Sequence, residues 1–216
     1  MTRQSGAVML ANEGTFIHPQ YGAILARPIE KRDQIEHAVL DVVARKGLHA
    51  TTVQDIANAA DVSPGLLYRY WRNRDDLAGA VYEEHYVRLV DRLARVTDSQ
   101  SDVVLKLHAM IKAFLEFADE RPVLLRFLLL SQHDLAVRVP EERGVRALLR
   151  RIIADGQARG RIRSMPLDVA VQLLLGMALQ PAVGMMYGHL KPPVSAQFDA
   201  IIGAITRALL TEPATG

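Results

Sequence analysis

Side chains that can hold phosphate are concentrated between residues 51 and 74. Two threonines precede a short helical pattern, and the free N–H groups at the start of such a helix bind phosphate together with the hydroxyls. Two tyrosines can donate hydrogen bonds to phosphate oxygens, and an arginine adds positive charge. The residues predicted for this role are Thr51, Thr52, Tyr68, Tyr70 and Arg74.

A second set, just upstream of the tyrosines, can reach base edges. Ser63 is a helix cap with Pro64 at the first helical position, where a missing N–H has no cost. Gly65 lets the backbone approach a partner closely, and Leu66 offers apolar contact to a thymine methyl group. Arg69 lies one turn after Gly65 and can reach a base or a phosphate.

Apart from Thr51 and Arg74, which flank it, both sets lie on two short helices joined by a turn, over residues 52–71. Thr51 with Gln54, or Thr52 with Asp55, forms a capping box at the start of the first helix. In a helix-turn-helix unit the second helix enters the major groove of DNA. Capped helix pairs also occur in ordinary bundles, so the pattern alone leaves both alternatives open.

Apolar residues at three- and four-residue spacing predict about nine helices along the chain after residue 30. Apart from the pair above, the predicted helices are 31–46, 74–96, 102–119, 122–135, 141–159, 167–190 and 194–210. We find no alternating strand pattern and no internal repeat, so the predicted fold is all-α. Residues 1–28 lack this periodicity and also lack the features of a signal peptide, so we expect a flexible N-terminal extension and a cytoplasmic protein.

The composition restricts the chemistry. The 216-residue chain has no cysteine, a formal net charge of +2, and 50% hydrophobic residues. Disulfides, thiol nucleophiles and cysteine-ligated metals are therefore excluded. Glycine-rich phosphate loops, the G-x-S-x-G motif and metal-ligand spacings such as H-E-x-x-H are not found. We predict no enzyme, no metal and no cofactor.

Segment 167–190 is apolar almost all round and is long enough to be considered as a membrane span. Gln172, Gln180 and Pro181 argue against a span, as does the amphipathic pattern that follows. A helix of this kind is otherwise buried on every side. We favour a homodimer interface formed by residues 167–190 and 194–210 over burial within one subunit.

Residues from about 29 to 85 resemble the DNA-binding domain of the TetR family of bacterial repressors. The residues that carry the resemblance are Ile35, Ala38, Gly47, Thr51, Thr52, Val53, Ile56, Ala57, Ala60, Val62, Ser63, Gly65, Leu67, Tyr68, Tyr70 and Leu77. Three positions depart from the usual pattern: Leu66 replaces a small or polar residue, Trp71 replaces phenylalanine, and Arg74 replaces lysine. Leu66 indicates an unusual operator.

The resemblance implies an all-α homodimer with a three-helix DNA-binding domain over residues 29–89 and a helical effector-binding and dimerisation domain over residues 90–216. It also implies that ligand binding displaces the fourth helix and moves the two DNA-binding domains of the dimer apart. The partners expected are a palindromic double-stranded DNA operator, a second copy of the chain and a small-molecule effector, without a membrane.

An effector pocket is expected among the helices between residues 103 and 190. The candidate lining residues are apolar and suit a lipophilic ligand; they are Met110, Phe114, Phe117, Phe127, Met177 and Met185. Ordinary core packing explains the same residues. Polar anchors among His108, Gln132, His133, Gln172 and Gln180 have a similar alternative, because such residues are usually on the surface.

An arginine-rich run over residues 143–163 suits either an acidic ligand or, more simply, a solvated helix face. For the whole chain, a ligand-responsive repressor is the leading hypothesis. The main alternative is a helical ligand-binding or scaffold protein without DNA binding, and the intact residues Thr52, Tyr68, Tyr70 and Arg74 argue against it.

Overall fold

The computed structural model describes residues 31–211, and the predicted extension over residues 1–28 lies outside this range. The described residues contain nine α-helices and no strand: α1 Arg32–Lys46, α2 Val53–Ala59, α3 Pro64–Tyr68, α4 Arg74–Asp98, α5 Val103–Glu120, α6 Pro122–Leu135, α7 Val145–Ala158, α8 Leu167–Met186 and α9 Phe198–Leu209. The prediction of an all-α fold with about nine helices is confirmed.

The first two helices are each followed by a residue that tolerates left-handed backbone. Gly47 follows α1 with φ +80°, and its N–H bonds to the Val43 carbonyl at 2.8 Å. Asp61 makes the turn between α2 and α3 with φ +50°, a conformation that aspartate adopts more readily than most residues. These two turns fold α1, α2 and α3 back on one another.

The head, defined as α1–α3, has a core to which α1 contributes seven buried residues, α2 two and α3 one. Val39, Val43, Ile56 and Leu67 are almost completely buried. Leu77 from the first turn of α4 is buried as well, so that α4 begins against the head.

The segment before α7 differs from the sequence prediction. One helix was predicted over 141–159, but the structure has a 3₁₀ turn at Glu141–Arg143 and begins α7 at Val145. The cause is Gly144, whose φ of −87° and ψ of 163° are extended. Likewise the predicted helix 194–210 is a 3₁₀ turn, Val194–Gln197, followed by α9.

Helix α8 ends earlier than predicted and is less enclosed than its composition suggests. It stops at Met186, shortly before Gly188 with φ +76°. Among the described helices, it is the one long and apolar enough to cross a membrane by those two criteria. Only four of its 20 residues are buried in the single chain.

Candidate nucleic-acid interface

The first turn of α2 is fixed by a complete capping box. The Thr52 hydroxyl accepts a hydrogen bond from the Asp55 N–H at 3.1 Å, and the Asp55 carboxylate accepts one from the Thr52 N–H at 3.0 Å. Of the two boxes that the sequence allows, the structure therefore forms the one between Thr52 and Asp55. Lys46 of α1 also donates to Asp55, at 2.8 Å.

These contacts keep Asp55 ionised. The hydrogen bond from Lys46, followed by those from Thr52, lowers the pKa of Asp55 from 3.8 to about 2. Asp55 therefore remains negatively charged at the positive end of α2, where its charge interacts favourably with the helix dipole. Thr52 itself is exposed, so the start of α2 is open to solvent beside this carboxylate.

An open cleft of about 420 Å³ brings several predicted phosphate-binding residues together. It is lined by the start of α2, by the end of α3 and by the start of α4. The lining includes Thr51, Thr52, Val53, Tyr68, Arg72, Asn73, Arg74 and Asp75. Four of the five residues predicted to hold phosphate thus line one cleft, and Tyr70 is the exception.

Two of those four use their polar groups inside the protein. Thr51 is buried, and its hydroxyl donates to the Gly47 carbonyl at 2.8 Å. Arg74 donates to the carbonyls of His49 and Thr51, both at 3.1 Å, and pairs with Asp75 at 2.6 Å. In this conformation they tie the α1–α2 loop to α4, whereas Thr52 and Tyr68 are exposed.

The surface of α3 is the most accessible part of the predicted reading unit. Ser63 caps it by accepting from the Leu66 N–H at 3.3 Å. Leu67 is its single buried residue, and Tyr68 is 57% exposed. A Cβ added at Gly65 would meet nothing within 4 Å. The backbone at Gly65 is therefore open to a large partner.

Residues after α3 differ in their accessibility. The two-helix unit was predicted to extend to residue 71, but α3 ends at Tyr68, and Arg69 is its C-cap. Arg69 is exposed, while Leu66 and Tyr70 are half-buried. The Tyr70 ring lies against Trp71 with 5.8 Å between centroids. Arg69 is the arginine in this region with an accessible guanidinium and no ion pair among the described residues.

Sequence reasoning did not identify Asp76, which is buried in the first turn of α4. The Arg72 N–H and Nε donate to its Oδ2 at 3.2 and 3.3 Å. Desolvation raises the pKa of Asp76, but hydrogen bonds from Arg72 and the charges of Arg72 and Arg138 outweigh it, so the pKa lies below its usual value. This carboxylate fixes the turn that leads from the reading helix into α4.

The predicted effector-lining residues occupy two environments. Met110, Phe117 and Phe127 are buried, and the half-buried ones are Phe114, Met177 and Met185. Phe127 contacts Tyr82 with 6.2 Å between ring centroids. Burial of Tyr82, reinforced by Tyr86, raises the pKa of its phenol.

One buried polar group in this region is without a partner. The hydroxyl of Ser131, on α6 one turn after Phe127, makes no hydrogen bond and is the one buried side-chain N or O atom of this kind in residues 31–211. Most of the polar anchors considered from the sequence are instead exposed, namely Gln132, His133, Gln172 and Gln180. A lone buried serine has no distinctive sequence pattern, so only the structure singles it out.

The arginine-rich run is largely a paired surface. Arg150 pairs with Asp168, Arg159 with Asp155 at 2.8 Å, and Arg161 with Asp102 at 3.3 Å. The guanidinium of Arg163 donates to the Leu210 carbonyl at 3.0 Å. These contacts agree with the simpler interpretation of a solvated, structural helix face.

Large apolar side chains remain exposed on α8 and at its C-cap, Tyr187. Val169, Leu173 and Tyr187 are 49%, 45% and 56% exposed. Their spacing places them on one side of the helix. The exposed side of α9 beside it carries Ala200, Ala204 and Ala208. Exposed apolar surface of this extent is typical of an interface.

A short capped helix that projects from a three-helix head, followed by a long linking helix and a helical second domain, defines a class of helix-turn-helix DNA-binding proteins. Residues 37–81 match the family described as "Bacterial regulatory proteins, tetR family". Over these residues the chain has the DNA-binding domain of the TetR family of transcriptional regulators.

Two curated relatives and one solved structure illustrate the similarity. The HTH-type transcriptional repressor KstR2 of Mycolicibacterium smegmatis is 27% identical over 96 residues, which are 44% of this chain and 47% of KstR2. The fatty acid metabolism regulator protein of Bacillus subtilis is 25% identical over 149 residues, 66% of this chain and 77% of that protein. The chain thus spans about half of the length of the first relative and three quarters of the second.

The solved structure is the transcriptional regulator FadR of Bacillus subtilis in complex with stearoyl-CoA. It superimposes with a TM-score of 0.68 at 19% identity, covering 81% of this chain and 97% of that one. At this identity the similarity establishes the fold, including the helical C-terminal domain.

Proposed function

We propose that this chain is a transcriptional regulator that binds a palindromic DNA operator as a homodimer and leaves it when a small lipophilic effector binds. The observation that carries the proposal is the accessible surface of α3, on which Ser63, Gly65, Tyr68 and Arg69 are exposed above a core fixed by Leu67. The relatives' names support it, since KstR2 is described as a repressor.

In the proposed complex the first turn of α3 lies in the major groove, where Ser63 to Leu66 and Arg69 read base edges. Thr52 and Tyr68, which line the cleft beside α3, hold phosphates, and Tyr70 is proposed to hold another outside the cleft. Thr51 and Arg74 do not contact DNA in this arrangement. They hold the α1–α2 loop in position through hydrogen bonds to its carbonyl groups. This arrangement divides the predicted set into residues that contact DNA and residues that position them.

The experiment that tests DNA recognition is selection of bound sequences from a random double-stranded pool, followed by gel shift across a salt series. The proposal expects a palindromic consensus whose two halves lie about one helical turn apart. It also expects affinity for the selected site to fall as salt rises. Failure to enrich any sequence would favour the alternative, a helical ligand-binding or scaffold protein without DNA binding.

We place the homodimer interface on α8 and on residues 194–210. The exposed apolar side of α8 supports this, because Leu173 and Tyr187 would otherwise remain in water. The exposed amides of Gln172 and Gln180 disfavour lipid as the partner. Sedimentation equilibrium tests the interface: Leu173→Arg should convert a dimer to a monomer, while Arg151→Ala, at an exposed site on α7, should not.

The effector site is proposed among α4, α5, α6 and α8, with the predicted lining residues and the Ser131 hydroxyl as a polar anchor. A long-chain acyl thioester is the first probe to use, because the FadR structure contains stearoyl-CoA. Titration of the protein–DNA complex with stearoyl-CoA should release the DNA. A transcription assay on the selected operator then distinguishes a repressor from an activator. We also propose that the protein is cytoplasmic.

A further inference from the structure

Helix α6 and the 3₁₀ turn after it, Ala136–Arg138, contact the head at two places and the start of α4 at a third. The Arg126 Nε donates to the Ala44 carbonyl near the end of α1, at 2.8 Å. Asp134 lies 3.3 Å from His49 in the α1–α2 loop. Arg138 reaches the start of α4. This part of the C-terminal domain is thus connected both to the DNA-reading head and to the first turn of α4.

The contact of Arg138 differs from the other two because it shares its acceptor with the reading unit. Its Nη1 lies 3.4 Å from the buried Asp76 carboxylate, and its Nη2 donates to the Asp75 carbonyl at 3.0 Å. The same carboxylate accepts from the backbone and side chain of Arg72. Asp76 is therefore bonded both to the turn that follows α3 and to the C-terminal domain.

The path of the Arg138 side chain depends on a glycine. Gly79, one turn after Asp76, is buried, and a Cβ built at position 79 would overlap the Cδ, Nε and Cζ atoms of Arg138. Glycine within a helix is otherwise unfavourable relative to alanine. The absence of a side chain at Gly79 therefore leaves the space through which the Arg138 guanidinium crosses α4.

We propose that Arg138 is a positioning residue that couples the effector domain to the DNA-reading head, by crossing α4 at Gly79 and holding Asp76 against the α3–α4 turn. A displacement of α6 carries Arg138 with it, because the 3₁₀ turn follows α6 directly. Withdrawal of the guanidinium leaves the Asp76 carboxylate held by Arg72 alone, and the head gains freedom relative to α4. This inference rests on the proposed function, since it describes how that function is regulated.

The test measures the head's position directly in the free protein. Because the chain has no cysteine, Ala59→Cys on α2 and Ala158→Cys on α7, both at exposed positions, accept spin labels selectively. Double electron–electron resonance then gives the label-to-label distance within one chain when labelled protein is diluted with unlabelled protein. In the wild type we expect one narrow distance.

Two variants remove the contact in different ways. Arg138→Ala deletes the guanidinium, whereas Gly79→Ala keeps it but fills the space it crosses and raises helix propensity. Both should replace the narrow distance by a broad or second one, and Gly79→Ala should do so without a fall in melting temperature. The distance distribution of the double variant should resemble those of the single variants, and that of Arg151→Ala should match the wild type.

A narrow, wild-type distance in either Arg138→Ala or Gly79→Ala would overturn the proposal, as would equal broadening in Arg151→Ala. If Arg138→Ala unfolds, Gly79→Ala still decides the outcome. The measurement needs neither DNA nor effector. Broadening in a chain that selects no DNA would therefore count against the proposed function and not against the coupling.

Discussion

The phenol oxygen of Tyr86 on α4 accepts a hydrogen bond from the backbone N–H of Val145, the first residue of α7, at 3.2 Å. Gly144, the N-cap of α7, has no side chain that could do so. Tyr86 therefore supplies, from another helix, an acceptor for one of the N–H groups that the first turn of α7 leaves without an intrahelical partner. The contact also fastens the middle of α4 to the C-terminal domain.

Tyr86→Phe should lower the free energy of unfolding by about 1 kcal/mol, as the loss of a helix cap does. Chemical denaturation monitored by circular dichroism measures this change. Adding Gly144→Ser to the Tyr86→Phe protein provides the control, because a local cap should restore part of the loss. A Tyr86→Phe protein as stable as the wild type would contradict the capping role.

The two arginines on either side of the α3–α4 turn should behave oppositely. Arg69→Ala should leave stability within about 0.5 kcal/mol, as exposed substitutions usually do, but should weaken operator binding. If its role is a phosphate contact, the log–log salt slope should fall by about 1. Fluorescence anisotropy at several salt concentrations measures both the affinity and the slope.

Arg74→Ala is the matched comparison, because its guanidinium is bonded to the carbonyls of His49 and Thr51. It should lower the melting temperature and leave the salt slope close to that of the wild type. An unchanged melting temperature together with a reduced slope would show that Arg74 contacts phosphate, as the sequence alone predicted.

The Asp55 carboxylate should give the head a defined acid response. Its pKa in the folded protein, about 2, lies below the ordinary 3.8, so its stabilising contribution is present above pH 4 and is lost as the pH falls towards 2. The stability advantage of the wild type over Asp55→Asn should therefore shrink across that interval.

The cause of this shift can be tested separately. Lys46→Ala removes the largest contribution, so the Asp55 carboxyl should titrate closer to 3.8. Carbon-detected NMR of the side-chain carboxyl follows the titration. If the midpoint stays near 2 without Lys46, then the capping box alone controls the Asp55 pKa.

Ser131→Ala should stabilise the free protein by about 1 kcal/mol, because a buried hydroxyl without a partner costs roughly 1–3 kcal/mol. In the proposed effector site the same change should reduce the stabilisation that stearoyl-CoA provides. Thermal melts with and without stearoyl-CoA separate the two effects. Ser195→Ala, in a half-buried turn before α9, is the control.

Leu66→Ala should change operator preference at one base pair by about 1 kcal/mol, the lower end of the cost of a mismatched base pair. Leu66 is half-buried on α3, so part of its side chain can contact a thymine methyl group. Repeating the selection with the variant measures the change. An unchanged consensus would exclude Leu66 from base reading.

Local signals in the sequence were sufficient for the number of helices and for the caps of α2 and α3, but not for every helix boundary. Ser63 followed by Pro64 predicted the start of α3, and Thr52 with Asp55 was one of two capping boxes considered. These features are governed by residues within one turn of each other, so sequence spacing contains the necessary information.

Long-range contacts could not be predicted in the same way. Thr51 and Arg74 have the residue types of phosphate ligands, but the approach of α4 to the α1–α2 loop turns their polar groups inward. Arg138 is separated from Asp76 by 62 residues in the sequence. Nothing in the sequence around Gly79 indicates that the Arg138 side chain packs against it. The effector site is undetermined by sequence for a similar reason, since apolar lining and apolar core have the same composition.

The exposed apolar side of α8 has a consequence for how the protein behaves in a cell. Only four of its 20 residues are buried within one chain. If a second copy covers the rest, a newly made chain exposes this apolar surface to water until it dimerises. Its folding stability then depends on protomer concentration. Its lifetime against proteases would rise with its own abundance, so a small change in synthesis would produce a larger change in active regulator.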